Sequence, residues 1–171
     1  VELELREDGS DYRFTVSDDG RGMDAAELAR AADPFVTDGA KHPGRRVGLG
    51  LPFLLQTAEQ SGGGAELRSE KGKGTVVSAR FDAANIDFPP EGDVPGLFRT
   101  AFMFGGPKDV AIRRFRRRAG LPTLDYGVRR SELEDALGGL GDAGALVLLG
   151  RYLASLEEAG DGGDSPGDRE T

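Results

Sequence analysis

The stretch that most constrains this chain is Val16-Ser17-Asp18-Asp19-Gly20-Arg21-Gly22-Met23. It reads as a strand that ends in an acidic pair, two glycines one residue apart, and the start of a helix. A carboxylate beside glycines suits a heterocycle: it accepts from an exocyclic amine, and Gly lets backbone approach where a Cβ would clash. Alone, such a string fits a structural turn better than a site, because strand-to-helix turns are rich in Asp and Gly. Two further glycine turns downstream shift that balance.

The flanking pattern is regular. Val1, Leu3 and Leu5 alternate with Glu2, Glu4 and Arg6, and Tyr12, Phe14 and Val16 alternate after the turn Asp8-Gly9-Ser10. Both runs have the period of half-buried strands and together predict a β-hairpin. Asp24 and Glu27 have capping-box spacing for a short helix to about Ala32, which Pro34 ends. Residues 38–47 are polar and basic without periodicity and read as a loop. Leu51, Leu54, Leu55 and Ala58 form an amphipathic helical stripe, with Pro52 in its first turn and Gly62 to Gly64 at its end. Strands at 65–70 and 75–82 come next, joined by Lys71-Gly72-Lys73-Gly74.

Asp87-Phe88-Pro89-Pro90 punctuates the chain. It divides residues 1–86 from a small α/β appendage at 87–159, and a Gly- and Asp-rich tail at 160–171 reads as disordered. In the appendage, Val94, Leu97, Phe98, Ala101 and Phe102 mark a helix. Strands are expected at 109–118 and 121–128. Ser131 and Glu134 have the spacing of a second capping box, and a last helix covers about 142–159. Antiparallel hairpins packed against helices make an α+β fold, a two-layer α/β sandwich.

Composition closes several routes. The 171 residues hold no cysteine, which excludes a disulfide scaffold, a thiolate metal site and cysteine catalysis. The formal net charge of −8 disfavours nucleic acid as a partner. The run Arg113 to Arg118 on so acidic a chain is expected to be a solvated strand rather than a nucleic-acid surface. No apolar run reaches the roughly 20 residues that span a bilayer, and a cytoplasmic setting is expected.

Three glycine-bearing turns therefore stand in order: Asp18 to Gly22, Gly48 to Leu51, and Gly72 to Thr75. The order resembles the histidine-kinase-like ATPase superfamily, the GHKL or Bergerat-fold ATPases, which includes sensor kinases, DNA gyrase B subunits, mismatch-repair proteins and a heat-shock chaperone. The likeness covers Val1 to Asp82. It implies ATP as ligand, with Asp18 bonding the adenine amino group and Gly20 and Gly22 opening the turn to the ring. Asp19 stands where that family commonly has Asn. Gly48, Leu49, Gly50 and Leu51 match the second glycine box, where N–H groups at a helix N-terminus face phosphates. Thr75 matches the third-box threonine near the Asp18 carboxylate. Asp33-Pro34-Phe35 resembles the phenylalanine box that opens the nucleotide lid, with Phe35 in the site. Lys41 and Arg45 stand beside the phosphate turn as candidate γ-phosphate contacts, and a solvated loop remains the rival reading for each. A dinucleotide fold is the rival for Gly48 and Gly50, and Phe53 breaks its Gly-x-Gly-x-x-Gly fingerprint. His42, the only histidine, lies in the lid region and not on a phosphoacceptor helix.

The resemblance also implies an Asn on a helix before the first hairpin that coordinates Mg²⁺, with a nearby Glu as general base in hydrolysing members. The chain starts after the place of that helix, and its sole Asn is Asn85. No metal ligand or catalytic residue is assigned, Mg²⁺ is expected only with an upstream Asn-bearing helix, and we expect the chain to be N-terminally truncated. Without that helix, half a layer of the sandwich should lie bare. The phrases Asp33-Pro34-Phe35-x-Thr37, Arg46 to Pro52 and Ile86-Asp87-x-Pro89-Pro90-x-Gly92-Asp93 resemble small ATP-binding proteins of anaerobic bacteria found near iron-hydrogenase subunits and described as anti-sigma-factor-like kinases. The expected function is an ATP-binding module of a regulatory protein kinase or ATPase acting on a partner protein, redox- or hydrogenase-associated or sigma-factor regulatory. The alternative is a non-catalytic nucleotide-sensing or docking protein.

Overall fold

The computed structural model describes residues 1–31 and 50–161. The first hairpin is β1 (Glu2–Asp8) and β2 (Asp11–Asp18), turned at Gly9, whose φ of 61° suits glycine. Helix α1 (Ala25–Ala31) opens on the expected box. Asp24 Oδ1 accepts from the Ala26 and Glu27 N–H groups, and Glu27 Oε2 accepts from the Asp24 N–H. Those backbone donors hold the Asp24 carboxyl below its usual range. Helix α2 (Gly50–Gln60) and strands β3 (Gly64–Glu70) and β4 (Gly74–Asp82) come next.

Beyond the Pro-Pro segment come α3 (Val94–Met103), β5 (Ala111–Arg117), β6 (Leu124–Arg129), α4 (Arg130–Leu137) and α5 (Ala143–Gly160). Asp93 caps α3 by accepting from the Gly96 N–H at 2.8 Å, and Asp142 caps α5 through the Ala145 N–H at 2.8 Å. The start of α4 differs from the Ser131/Glu134 expectation. Its box acid is Glu132, which accepts from the Arg129 N–H, while Ser131 gives both its N–H and its hydroxyl to Asp109. A carboxylate brought in from the neighbouring loop thus replaces the local cap.

The strands form one six-stranded sheet in the order β3-β4-β2-β1-β5-β6. Every pair is antiparallel except β1 with β5, so the strands on either side of residue 87 share a sheet. The register sets two faces. Leu67, Val77, Val16, Leu3, Ile112 and Val128 form one transverse row of the inner face; Ala65, Ala79, Phe14, Leu5, Arg114 and Tyr126 form the next. The opposite face carries Glu4, Arg6, Arg13, Arg80, Arg113 and Arg117, charged and solvated, with Arg6 stacked 4.0 Å over the Phe115 ring.

Helix α2 covers the β3-β4 side of the inner face, where Leu54 and Ala58 meet Ala79 and Phe81. Helices α3 and α5 cover the other side, burying Leu3, Leu5 and Ile112 under Phe98, Phe102, Leu149 and Leu153. The architecture is the expected two-layer sandwich. The expected bare half-layer is not what these residues show: Leu5 is 2% exposed, because the helices after residue 87 cover it.

The arginine run also needs correcting. It forms a strand, but only its alternate residues are solvated. Arg114 and Arg116 fall on the inner face and are 1% and 5% exposed. Arg114 meets Glu7, Glu91 and Glu157; Arg116 meets Glu157 and Asp161; Arg118 meets Glu7 and Glu91. Outside, Arg117 pairs with Asp8 through two nitrogens at 2.7 and 2.8 Å. Period-two alternation places every second charge inward, and the run's positive charge is matched within the fold.

Candidate nucleotide-binding site

Asp18 closes β2 at the same parity as Val16, so its side chain lies on the inner, helix-covered face. Thr75 is its cross-strand partner on β4, and Ser69 on β3 is the partner of Thr75. Asp18, Thr75 and Ser69 are therefore the last row of the inner face. The next row inward is Val16, Val77 and Leu67. Helix α2 lowers Leu51, Leu54 and Leu55 onto Leu67 and Val77, and a cavity of about 20 Å³ remains between them.

The glycines explain how the row stays open. Gly20 lies two residues after Asp18 and donates its N–H to Asp18 Oδ1 at 2.8 Å. Gly22 has a φ of 60°, and a Cβ there would stand 1.9 Å from the Glu70 carbonyl oxygen. Gly74 has a φ of 105°, and its Cβ would stand 1.9 Å from the Asp18 carbonyl oxygen. Two turns distant in sequence, 18–23 and 70–75, thus pack backbone against backbone. The Gly72 N–H donates to the Arg21 carbonyl at 2.7 Å and locks them together.

Ser69 is the residue that sequence reasoning missed. Its Oγ accepts from the Met23 N–H at 2.9 Å, donates to the Gly74 carbonyl at 2.9 Å, and lies 3.0 Å from Thr75 Oγ1. With the serine proton on Gly74, Thr75 donates to Ser69 and keeps its lone pairs for an incoming donor. The signal was the hairpin turn Lys71 to Gly74, which puts residue 69 opposite residue 75.

Asp18 accepts only the Gly20 N–H among the described residues. A carboxylate has room for about four acceptor interactions, so capacity remains for an external donor. The row Asp18-Thr75 presents acceptors to the donor-bearing edge of a ligand. The adjoining cavity is too small to take a ring. A purine set against Asp18 must displace α2 or lie at the open end of the row.

The remaining sequence-predicted residues divide. Gly50 and Leu51 form the first turn of α2, with Leu51 beside the Leu67-Val77 row. Phe35, Lys41, Arg45, Gly48 and Leu49, with the lid and His42, lie outside the described residues. Among the described residues, no group of three or more His, Asp or Glu is placed to hold a metal ion. None of their helices is long and apolar enough to cross a membrane.

Residues 1–85 match the family of histidine kinase-, DNA gyrase B-, and HSP90-like ATPases. Those residues belong to that ATPase family. The module's boundaries enclose the whole Asp18-Thr75-Ser69 row and both glycine turns. Among curated relatives, the sensor histidine kinase RcsC of Escherichia coli is 30% identical over 99 residues, covering 57% of this chain and 10% of that protein. An uncharacterized sensor-like histidine kinase of Rhizobium meliloti is 35% identical over 137 residues, covering 78% of this chain and 25% of that protein. That alignment is too long to fit within the ATPase module, so the likeness runs into the region after residue 87. The sensor histidine kinase ZraS of Escherichia coli is 31% identical over 78 residues, which cover 46% of this chain and 16% of that protein. The chain thus spans between a tenth and a quarter of these relatives' length.

Proposed function

We propose that this chain is the ATP-binding module of a regulatory protein kinase or ATPase that acts on a partner protein in the cytoplasm. The observation that carries the reading is the Asp18-Thr75 row: an inner-face carboxylate bonded only to the Gly20 N–H among the described residues, held open by two glycine turns. In this reading Asp18 accepts the adenine amine, and Thr75 keeps lone pairs turned to the same edge. Gly20 and Gly22 leave the turn free of side chains, and ATP would supply the transferable phosphoryl group. Gly50 and Leu51 begin a helix whose positive dipole end favours phosphate, and Gly48, Leu49, Phe35, Lys41 and Arg45 are assigned to the same pocket by their motifs. Mg²⁺ belongs to the reading only together with an upstream Asn-bearing helix.

The division of labour falls near residue 87, with nucleotide binding before it and a regulatory appendage after it, although the sheet runs through both. On the likeness of the Ile86 to Asp93 phrase, the partner is a redox or sigma-factor regulatory protein. Titration with ATP and GTP checks the nucleotide. Asp18 rejects guanine, whose corresponding edge carries a carbonyl, so ATP should bind at least tenfold tighter; equal binding would refute the assignment. Incubation with radiolabelled ATP and candidate partners separates kinase from sensor. Label on a partner supports the kinase, and nucleotide binding with no transfer or hydrolysis leaves the sensor.

A further inference from the structure

At the sheet edge opposite β3, strand β6 and helices α4 and α5 enclose a groove of about 480 Å³ that the nucleotide reading does not use. Val128 and Gly127 form its floor. Leu133, Ala136 and Leu137 form the α4 wall, and Leu148, Leu149 and Tyr152 the α5 wall. The lining is apolar apart from Glu132 and the Tyr152 hydroxyl. Leu148 and Tyr152 are 53% and 45% exposed, so two large apolar groups one helical turn apart stand in solvent. That arrangement marks a surface made to be covered.

Shape and charge together select the occupant. Both walls present side chains at helical spacing, with Leu133 and Leu137 on one and Leu148 and Tyr152 on the other. Ridges at that spacing accept the ridge of a third helix. The α4 side of the groove is acidic: Glu132 lines it, and Asp135, one turn further along the same helix, is exposed. The arginines at the start of α4 are otherwise engaged, and Arg151 is exposed on the α5 side. Arg129 faces Asp109, and Arg130 donates to the carbonyls of Phe104 and Pro107. A second copy of this acidic chain would bring like charges together, whereas a cationic helix would not.

We propose that the groove between α4, α5 and β6 docks an amphipathic partner helix bearing an apolar stripe flanked by Lys or Arg. Apolar residues at i and i+4 of that helix fill the groove between Leu137 and Leu148, and its basic flank lies along Glu132 and Asp135. The docking does not depend on the nucleotide reading, since the groove is built on β6 and the Asp18 row on β2, β4 and β3, toward the other edge of the sheet.

The test uses the whole chain and a 15-residue helical peptide amide with Leu at i, i+4 spacing and Lys along one flank. Its shuffled isomer and its Glu-for-Lys analogue are the controls, and fluorescence anisotropy is the readout. The Leu/Lys helix should bind at least tenfold tighter than either control. Leu148→Glu should weaken it at least tenfold, while Val147→Glu, exposed on the same helix but outside the groove, should change it less than twofold. Asp135→Lys should weaken the Lys peptide and strengthen the Glu analogue; all three substitutions sit at exposed positions, and an unchanged circular dichroism spectrum confirms the fold. Equal binding of the shuffled peptide, or of the Leu148→Glu variant, overturns the proposal. So does sedimentation showing a dimer that Leu148→Glu dissociates, because the occupant would then be a second copy.

Discussion

Two carboxylates, Asp18 and Glu7, face the same layer of helices from opposite ends of the hairpin β1-β2 and are treated in opposite ways. Glu7 is 5% exposed and is enclosed by Arg114 and Arg118, which Glu91, Glu157 and Asp161 complete into an ion cluster with Arg116. Asp18 accepts one backbone N–H among the described residues and faces two glycine turns. At the first end, charge is consumed in holding α5 and the segment around Glu91 to the sheet. At the second, backbone is drawn close so that a carboxylate keeps capacity for something else. A buried charge that lacks partners is costly. The open carboxylate is tolerated because it sits at the end of the row, partly in solvent.

The comparison predicts unequal costs for damage at the two ends. Arg114→Met removes a guanidinium shared by Glu7, Glu91 and Glu157, leaving buried carboxylates short of partners. We expect about 3–5 kcal/mol of lost stability in urea unfolding; a loss below about 1 kcal/mol would mean that the cluster contributes little. Gly74→Ala comes next. It forces a positive φ and a backbone overlap with the Asp18 carbonyl that no side chain can relieve, so roughly 2–4 kcal/mol should be lost. Chemical denaturation reads this too, and an unperturbed midpoint would show that the two glycine turns do not pack as described.

A third prediction probes the ion-rich end through pH. Burial, reinforced by Glu91, pushes the Tyr12 hydroxyl up to about 12. Tyr126, half-buried and donating to Glu157 at 2.7 Å, shifts in the same direction. In the unfolded chain tyrosine ionises near 10. The neutral form is therefore favoured by folding, and its contribution is complete below pH 10 and is lost as pH rises towards 12. Tyr12→Phe should flatten the stability decline between pH 10 and 12 by about 1–2 kcal/mol. Parallel pH profiles for the two proteins would contradict the burial argument. The smallest effect should come from Asp18→Asn, which alters no ion pair. Its unfolding free energy should stay within about 0.5 kcal/mol of the parent, and a larger change would make Asp18 a structural residue like Glu7.

The sequence carries the elements better than the contacts between them. Period-two alternation in residues 1–6 and 12–17 and the helical stripe at 51–58 fix the hairpin and α2 to within about a residue. The glycine turns at 18–22 and 72–75 point to each other only through a family resemblance, and the structure supplies the physical link: Gly22 and Gly74 both have backbone where a Cβ would be. Ser69 was missed because its role depends on hairpin register, set by the turn at 71–74, rather than on residue type. The arginine run misled for the same reason. Alternation in 113–118 predicts that half the guanidinium groups point inward, but composition cannot show that Glu7, Glu91 and Glu157, far apart in sequence, meet them there. The parallel pairing of β5 with β1 was equally hidden, since no local signal at residue 111 names residue 2 as its neighbour.

The most direct test of the central claim is calorimetric titration of ATP into the parent chain and Asp18→Asn, with both confirmed folded by thermal unfolding. Loss of a charge-assisted bond to the adenine amine should weaken binding by about 1–3 kcal/mol, roughly 5- to 150-fold in Kd. Equal dissociation constants for the two proteins would contradict the assignment of the open carboxylate to the nucleotide.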